Sequence, residues 1–391
     1  MDIVYNTVIN LIKSGLYNEP VTVSDGVDFD RVYALCKEHG LIALAYYGIK
    51  ASKLNINSDM LNKFENDIMM YVLNDTKVDV IFSELSEIFN DSKIDFMPIK
   101  GVVMREMYPN PEMRTMGDID ILIKESQFSD ISELMNKYGY ELMNESRHEY
   151  VYGKNTAVVE LHKSLVPVYD EDYYSYFGTG WKRAVTNRNS RYSMSSEDEY
   201  IYLLAHMAKH YRNAGVNILH MVDIWVYLMN NKLDSDYLKK ELENLGLYKF
   251  HCNVLKTLEN WFKDGEETEM TEFITKRMFE SGCWGTFENF HLSKALQEVE
   301  KKGGNAKAQR LLSYAFPPYD AMVTSYPILK GRRYLLPVVW LGRMLKAPFT
   351  KRDSIKQFGK GLKLSDSKSV ESYRQELEYV GLDYDYNKKS L

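Results

Sequence analysis

Residues 97–124 read MPIKGVVMREMYPNPEMRTMGDIDILIK, and the fold turns on this stretch. Near its end Gly117-Asp118-Ile119-Asp120 runs into Ile121-Leu122-Ile123. Alternation of period two predicts a strand with Asp118, Asp120 and Leu122 on one face and Ile119, Ile121 and Ile123 on the other. The two carboxylates then point the same way, roughly 7 Å apart at a rise of about 3.3 Å per residue. Side chains at that spacing can converge on one or two divalent cations, and hard oxygen donors suit Mg²⁺ or Mn²⁺. An isolated Asp-x-Asp has a plainer reading, because an amphipathic strand with a solvated face carries the same letters.

The surroundings add weight. Seventeen residues before Asp118 (118 − 101 = 17) stands Ile99-Lys100-Gly101, where a short apolar strand, 96–99, meets a glycine. A helix-like segment, 102–107, follows before the turn at Tyr108-Pro109 and Pro111. Forty residues after Asp120 (160 − 120 = 40) comes Val158-Val159-Glu160-Leu161-His162. Alternation there puts Glu160 and His162 on one strand face, opposite Val159 and Leu161. A strand–helix turn, an Asp pair on the next strand and a third acid on a later strand form a specific constellation.

Lys100-Gly101, Arg114-Thr115-Met116-Gly117-Asp118-Ile119-Asp120 and Glu160-Leu161-His162 together resemble the nucleotidyltransferase superfamily, especially its bacterial branch with K-G, R-x-x-G-D-I-D and E-L-H motifs. The motifs span about residues 90–165, and a looser similarity extends to about 230. The resemblance implies metal-dependent transfer of a nucleoside monophosphate from an NTP donor to a hydroxyl acceptor, with release of pyrophosphate. It implies that Asp118, Asp120 and Glu160 are catalytic and hold Mg²⁺ or Mn²⁺, with Glu160 alternatively acting as a base. Lys100 and Arg114 would neutralise phosphate oxygens, and Gly101 and Gly117 would let the backbone approach the nucleotide. Most superfamily members carry Gly-Ser or Gly-Gly where this chain has Lys100-Gly101-Val102. Either a lysine charge replaces the hydroxyl, or triphosphate binding is altered.

The expected fold class is α+β: a small mixed sheet with helices on one side, flanked by N-terminal and C-terminal helical regions. Four regions are expected: helical 1–90, the α/β core 91–165, helical 166–300 and a helical, basic 301–391. In the core, 126–138 reads as a helix capped by Ser126 or Ser129 and ended by Gly139, followed by strands at 140–143 and 148–152. In the third region Ser195-Ser196-Glu197-Asp198-Glu199 opens a helix that carries His206 and His210 at i, i+4, with His220 and Asp223 just beyond. A His-x-x-x-His pair can chelate zinc, yet the spacer Met207-Ala208-Lys209 lacks the Glu of H-E-x-x-H. Packing near the nucleotide or acceptor is the plainer reading of His206 and His210, and similar histidines in the resembling proteins imply a place for them, with His162, in the nucleotide or substrate pocket.

The chain has 391 residues, a hydrophobic share of 45% and a net charge of −6, which gives no global sign of nucleic-acid binding. Cys36, Cys252 and Cys283 are scattered and form no C-x-x-C pair, which argues against a disulfide framework or zinc cluster. The first residues carry no basic n-region or long apolar run, so no signal peptide is expected; no stretch approaches the ~18–20 apolar residues of a spanning helix, and the scattered cysteines point to a reducing cytosol. Between Lys330 and Lys363 ten Lys/Arg face one acid, Asp353, a local charge of 10 − 1 = +9 interleaved with apolar residues. That segment reads as a helix covering the core or as peripheral contact with an anionic membrane. The tail after Asp366 is polar and is expected to fray, down to Asn387-Lys388-Lys389-Ser390-Leu391. A non-catalytic nucleotide- or partner-binding protein on the same fold is the alternative to the enzyme.

Overall fold

The computed structural model describes residues 1–213, 215–263, 265–283 and 285–384. They form two compact units, residues 1–209 with 216–283 and residues 210–215 with 284–391.

The first unit opens with four helices, α1 (Ile3–Tyr17), α2 (Phe29–Glu38), α3 (Ile42–Ala51) and α4 (Ser58–Asp91). Asp2 accepts the Val4 N–H and caps α1, and Asn57 does the same for α4 through Asp59. Gly15 and Gly48 set the contact between α1 and α3, since a Cβ on either would strike a backbone carbonyl of the facing helix. Then come β1 (Phe96–Pro98), α5 (Gly101–Met104), β2 (Ile119–Ile123), α6 (Phe128–Lys137), β3 (Glu141–Glu145), β4 (Glu149–Lys154), β5 (Ala157–His162) and α7 (Glu171–Phe177). A hairpin, β6 (Val185–Arg188) and β7 (Arg191–Ser193), precedes α8 (Ser196–Asn213), α9 (Ile218–Asn230), α10 (Ser235–Asn244), α11 (Tyr248–Phe262) and α12 (Glu269–Ser281).

The seven strands form one mixed sheet in the order β3-β4-β5-β2-β1-β7-β6, so the fold is α+β. β2 runs antiparallel to β1 and parallel to β5. Ile119, Ile121 and Ile123 project from one face, as the alternation predicts, into a core shared with Val159 and Leu161. Val78, Ile81, Leu85 and Phe89 of α4, with Ile131 and Met135 of α6, close that core. Burying each such side chain contributes about 2 kcal/mol. Leu122, on the opposite face, is fully buried beside Leu165 and Gly180, so the sheet is covered on that side too.

Three expectations are corrected. The stretch 166–300 is not wholly helical: the β6–β7 hairpin extends the sheet, with Phe96 N–H donating to Ser190 O at 3.0 Å. Neither Ser126 nor Ser129 caps α6, because the chain enters it through a 3-10 turn, Glu125–Gln127. Residues 367–380 do not fray but form a helix whose first turn Asp366 caps. The expected fraying of 387–391 lies outside the described residues.

The second unit comprises α13 (Phe287–Lys302), α14 (Ala306–Ala315), α15 (Tyr319–Ser325), α16 (Leu336–Thr350), α17 (Arg352–Leu364) and α18 (Ser367–Val380). Gly361 lies so close to the His291 ring that no Cβ would fit between α17 and α13. Among the described residues no helix is long and apolar enough to cross a membrane.

At the start of α8 the Ser195 Oγ accepts the Asp198 N–H at 3.1 Å, as the sequence suggests. Glu199, one residue on, is buried, its Oε1 has no hydrogen-bond partner among the described residues, and burial pushes its carboxyl up to about 8. The folded state therefore favours the proton. This contribution to stability is complete below about 4.5 and is lost as pH rises through about 8. Glu199→Gln is expected to raise the melting temperature at alkaline pH by several degrees and to flatten its pH dependence. An unchanged thermal profile would contradict the burial argument.

Candidate functional site

Asp120 lies in the middle of the sheet because β2 does. The parallel register pairs Asp120 with Glu160 and Leu122 with His162. In-register neighbours on parallel strands share a face, about 4.8 Å apart. Asp118, two residues earlier and just before the strand, interacts electrostatically with Asp120 and Glu160. The backbone then brings in a fourth group. Ile99 N–H donates to Asp120 O at 3.1 Å, and the next residue, Lys100, begins α5. Lys100 has φ +57° and ψ −124°, a region that favours glycine. A lysine held there costs on the order of 1–3 kcal/mol, and such strain collects at functional sites.

The side chains close a compact polar cluster. Lys100 Nζ donates to Asp120 Oδ1 at 2.6 Å, and His162 Nε2 lies 2.6 Å from the same oxygen. His162 Nε2 is also 3.5 Å from Glu160 Oε2 and 3.4 Å from Lys100 Nζ. Its Nδ1 is 3.2 Å from His148 Nε2 and 3.6 Å from Glu149 Oε2. Potential metal-ligating atoms of Asp120, Glu160 and His162 lie within 4.8 Å of one another.

The electrostatics split the Asp pair. Burial, then the charges of Asp120 and Glu160, raise the Asp118 carboxyl to about 6. Burial would raise Asp120 as well, but Lys100 and His162 outweigh it and hold Asp120 well below the usual carboxylate range. The same pairing raises Lys100 against the opposing effect of its burial. His162 is raised too: burial and Lys100 oppose its charge, and hydrogen bonds to Asp120 and Glu160 overcome them. Asp118 is thus the carboxylate short of positive charge.

A divalent cation fits this donor set of hard carboxylate oxygens with an imidazole at the edge. A cation that also took Asp118 would have to displace the proton which that carboxyl keeps below about pH 6. Mn²⁺ affinity is therefore expected to rise with pH as the raised His162 and Asp118 lose their protons, and to fall by at least about tenfold per unit below about 6, followed by calorimetry. An affinity independent of pH between 5 and 7 would remove Asp118 from the ligand set.

Of the residues singled out from sequence, Lys100, Asp120, Glu160 and His162 come together, with Asp118 near enough to interact electrostatically with all four. Gly101 lies beneath Met116 and Arg114, where a Cβ would be 3.3 Å from Met116 Cγ, whereas a Cβ at Gly117 would meet nothing within 4 Å. Arg114 is already engaged: its Nε donates to Asp223 at 2.8 and 3.1 Å, and Tyr108 Oη donates to the same carboxylate at 2.8 Å. His206 and His210 are one turn apart on α8, and the His206 ring centroid lies 6.1 Å from Tyr202 and 5.4 Å from His220.

Sequence reading missed several groups here. His148 and Glu149 arrive through the antiparallel β4–β5 pairing, which sets Glu149 opposite His162. Burial, then the neighbouring His162, lowers the His148 imidazole to about 2, so it stays neutral. Tyr202 is fully buried with no hydrogen-bond partner for its hydroxyl among the described residues, and it interacts electrostatically with Lys100 and Asp120. Lys209 is lowered to about 8, first by burial and then by Lys100. The positions 202 and 209 are seven apart on one helix face, the only signal that the sequence offers for them.

No curated protein and no solved structure matches the chain. One family does, described as uncharacterised nucleotidyltransferase, over residues 25–263, which is more than half of the chain and takes in α3, α4, the whole sheet and α8 to α11. That family implies an NTP donor and an acceptor, and nucleotidyltransferases generally use divalent metals. The chain therefore belongs to the uncharacterised nucleotidyltransferase family.

Proposed function

We propose that this protein transfers a nucleoside monophosphate from an NTP to a hydroxyl of a small molecule, sugar or protein. The reading rests above all on one observation: the register that pairs Asp120 with Glu160 across parallel strands, near enough to Asp118 to raise its carboxyl. Asp118, Asp120 and Glu160 would hold Mg²⁺ or Mn²⁺. Such an ion neutralises triphosphate charge and lowers the pKa of an acceptor hydroxyl. In its alternative role as base, Glu160 takes the hydroxyl proton as the oxygen attacks the α-phosphorus; the new O–P bond forms, the bond to the β-phosphate oxygen breaks, and pyrophosphate leaves. Lys100, Lys209 and Arg114 present positive charge to the phosphates, and Asp223 fixes the Arg114 plane. The open space over Gly117 leaves room for the nucleotide to approach the backbone.

Incubation with each NTP labelled at the α-phosphate, Mg²⁺ and fractionated small-molecule or protein acceptors tests this directly. Label moving into one acceptor fraction with equimolar pyrophosphate is the expected result. Label released only as free nucleotide, from every fraction, would overturn transfer. One observation favours a second reading. The Lys100 ammonium already sits on Asp120, so a protein that binds nucleotide without turnover could use the lysine as its permanent counter-ion.

A further inference from the structure

We propose that the second unit carries a docking surface for an anionic lipid bilayer, formed by the outward face of α16 and the basic residues that flank it. Helix α16 is fastened on one side. Trp340 Nε1 donates to Pro317 O at 2.9 Å, and Arg343 Nη1 donates to Tyr314 O at 2.6 Å with its guanidinium over the Tyr314 ring. Its other side bears Val338, Leu341 and Leu345, with Tyr334 just before the helix, at 66%, 58%, 65% and 75% exposure. The positions 334, 338, 341 and 345 recur at helical spacing, so they form one stripe. An amphipathic helix in a water-facing position turns such side chains inward. Here the large aliphatic groups point away from the unit that anchors the helix, and a contiguous exposed patch of this kind marks an interaction site.

Charge decides what covers it. The segment 330–363 carries +9, while the rest of the chain carries −6 − 9 = −15. Exposed Arg332, Arg333, Lys346, Lys351 and Arg352 bracket the stripe at both ends of α16. A second copy of the chain, packed stripe to stripe, would bring two such basic patches together. A nucleic acid would pair with the charges and leave the aliphatic side chains in water. A bilayer surface rich in anionic headgroups satisfies both features, because phosphates meet the basic rim while the stripe enters the acyl boundary.

The test is flotation of the full chain with vesicles of phosphatidylcholine, and with the same vesicles doped with phosphatidylglycerol. Wild type is expected to float with the doped vesicles alone, and less as salt is raised. Lys346→Gln/Lys351→Gln/Arg352→Gln is expected to weaken binding on the order of a hundredfold. Leu341→Ser/Leu345→Ser, at exposed positions, is expected to keep the wild-type melting curve and lose flotation. Wild type that remains in solution with doped vesicles would overturn the proposal, and so would flotation unaffected by the serine pair. Concentration-dependent dimers broken by that pair, without flotation, would give the stripe to a second copy. Duplex DNA or RNA bound equally well by the serine pair, without flotation, would give the basic rim to nucleic acid.

Discussion

Asp118→Asn and Asp120→Asn are both expected to abolish nucleotidyl transfer, by at least about a thousandfold, but to move thermal stability in opposite directions. Asp118 ionises only above about 6, because burial and two neighbouring carboxylates oppose its charge. A raised carboxyl contributes stability that is present below its ordinary value near 3.8 and lost as pH rises through about 6. At neutral pH without metal the Asn variant removes repulsion, so its melting temperature stays level or rises. Asp120 is depressed, so its contribution is present above about 3.8 and vanishes only as pH falls through its lower native value. Asparagine keeps an oxygen there but removes the negative charge that Lys100 and His162, both largely buried, share. Stranding a buried charge costs about 3–5 kcal/mol, and the melting temperature drops. Full turnover in either variant, or the same thermal shift in both, would contradict the charge arrangement derived above.

Lys100→Met is expected to tighten Mn²⁺ binding by about tenfold or more in the absence of nucleotide, while weakening NTP binding. The lysine ammonium lies 2.6 Å from the Asp120 oxygen that a divalent ion would also need. Two cations cannot share that oxygen at contact distance, so the metal must first displace the lysine head, and a charge-assisted hydrogen bond is lost in doing so. Methionine removes the competitor and keeps an unbranched side chain of similar length. Once displaced by metal and nucleotide, the ammonium is free to meet phosphate oxygens, a contact that methionine cannot make. Metal affinity unchanged or lowered in Lys100→Met, read by calorimetry, would show that the lysine and the ion occupy separate places.

The centre of the site was legible because the signals there are local. Period-two alternation in 118–123 separates the acids from the isoleucines, and the structure buries Ile119, Ile121 and Ile123 in one core as that alternation requires. The same logic located Glu160 and His162. The hairpin 185–193 was not legible. Its letters, VTNRNSRYS, hold few apolar residues, and its place in the sheet depends on a backbone bond from Phe96 to Ser190, nearly a hundred residues away. Tyr202 and Lys209 were hidden for a similar reason: helical spacing aligns them on α8, but nothing local says which way that face looks. Arg114 reads as a phosphate ligand beside Gly117, yet its carboxylate partner, Asp223, lies on a helix 109 residues further on. Long-range pairing, not residue type, separates what the sequence discloses from what the structure adds.

The measurement that bears most directly on the central claim is thermal shift of wild type and Asp118→Asn with ATP, GTP, CTP and UTP, each with and without Mg²⁺. A ligand that binds only the folded state raises its apparent stability, and Asp118→Asn leaves the fold intact. The account predicts that at least one NTP stabilises wild type only when Mg²⁺ is present, and that the shift disappears in the variant. Equal stabilisation without Mg²⁺, the same shift in Asp118→Asn, or no shift with any of the four would contradict a metal-dependent nucleotide site on these carboxylates.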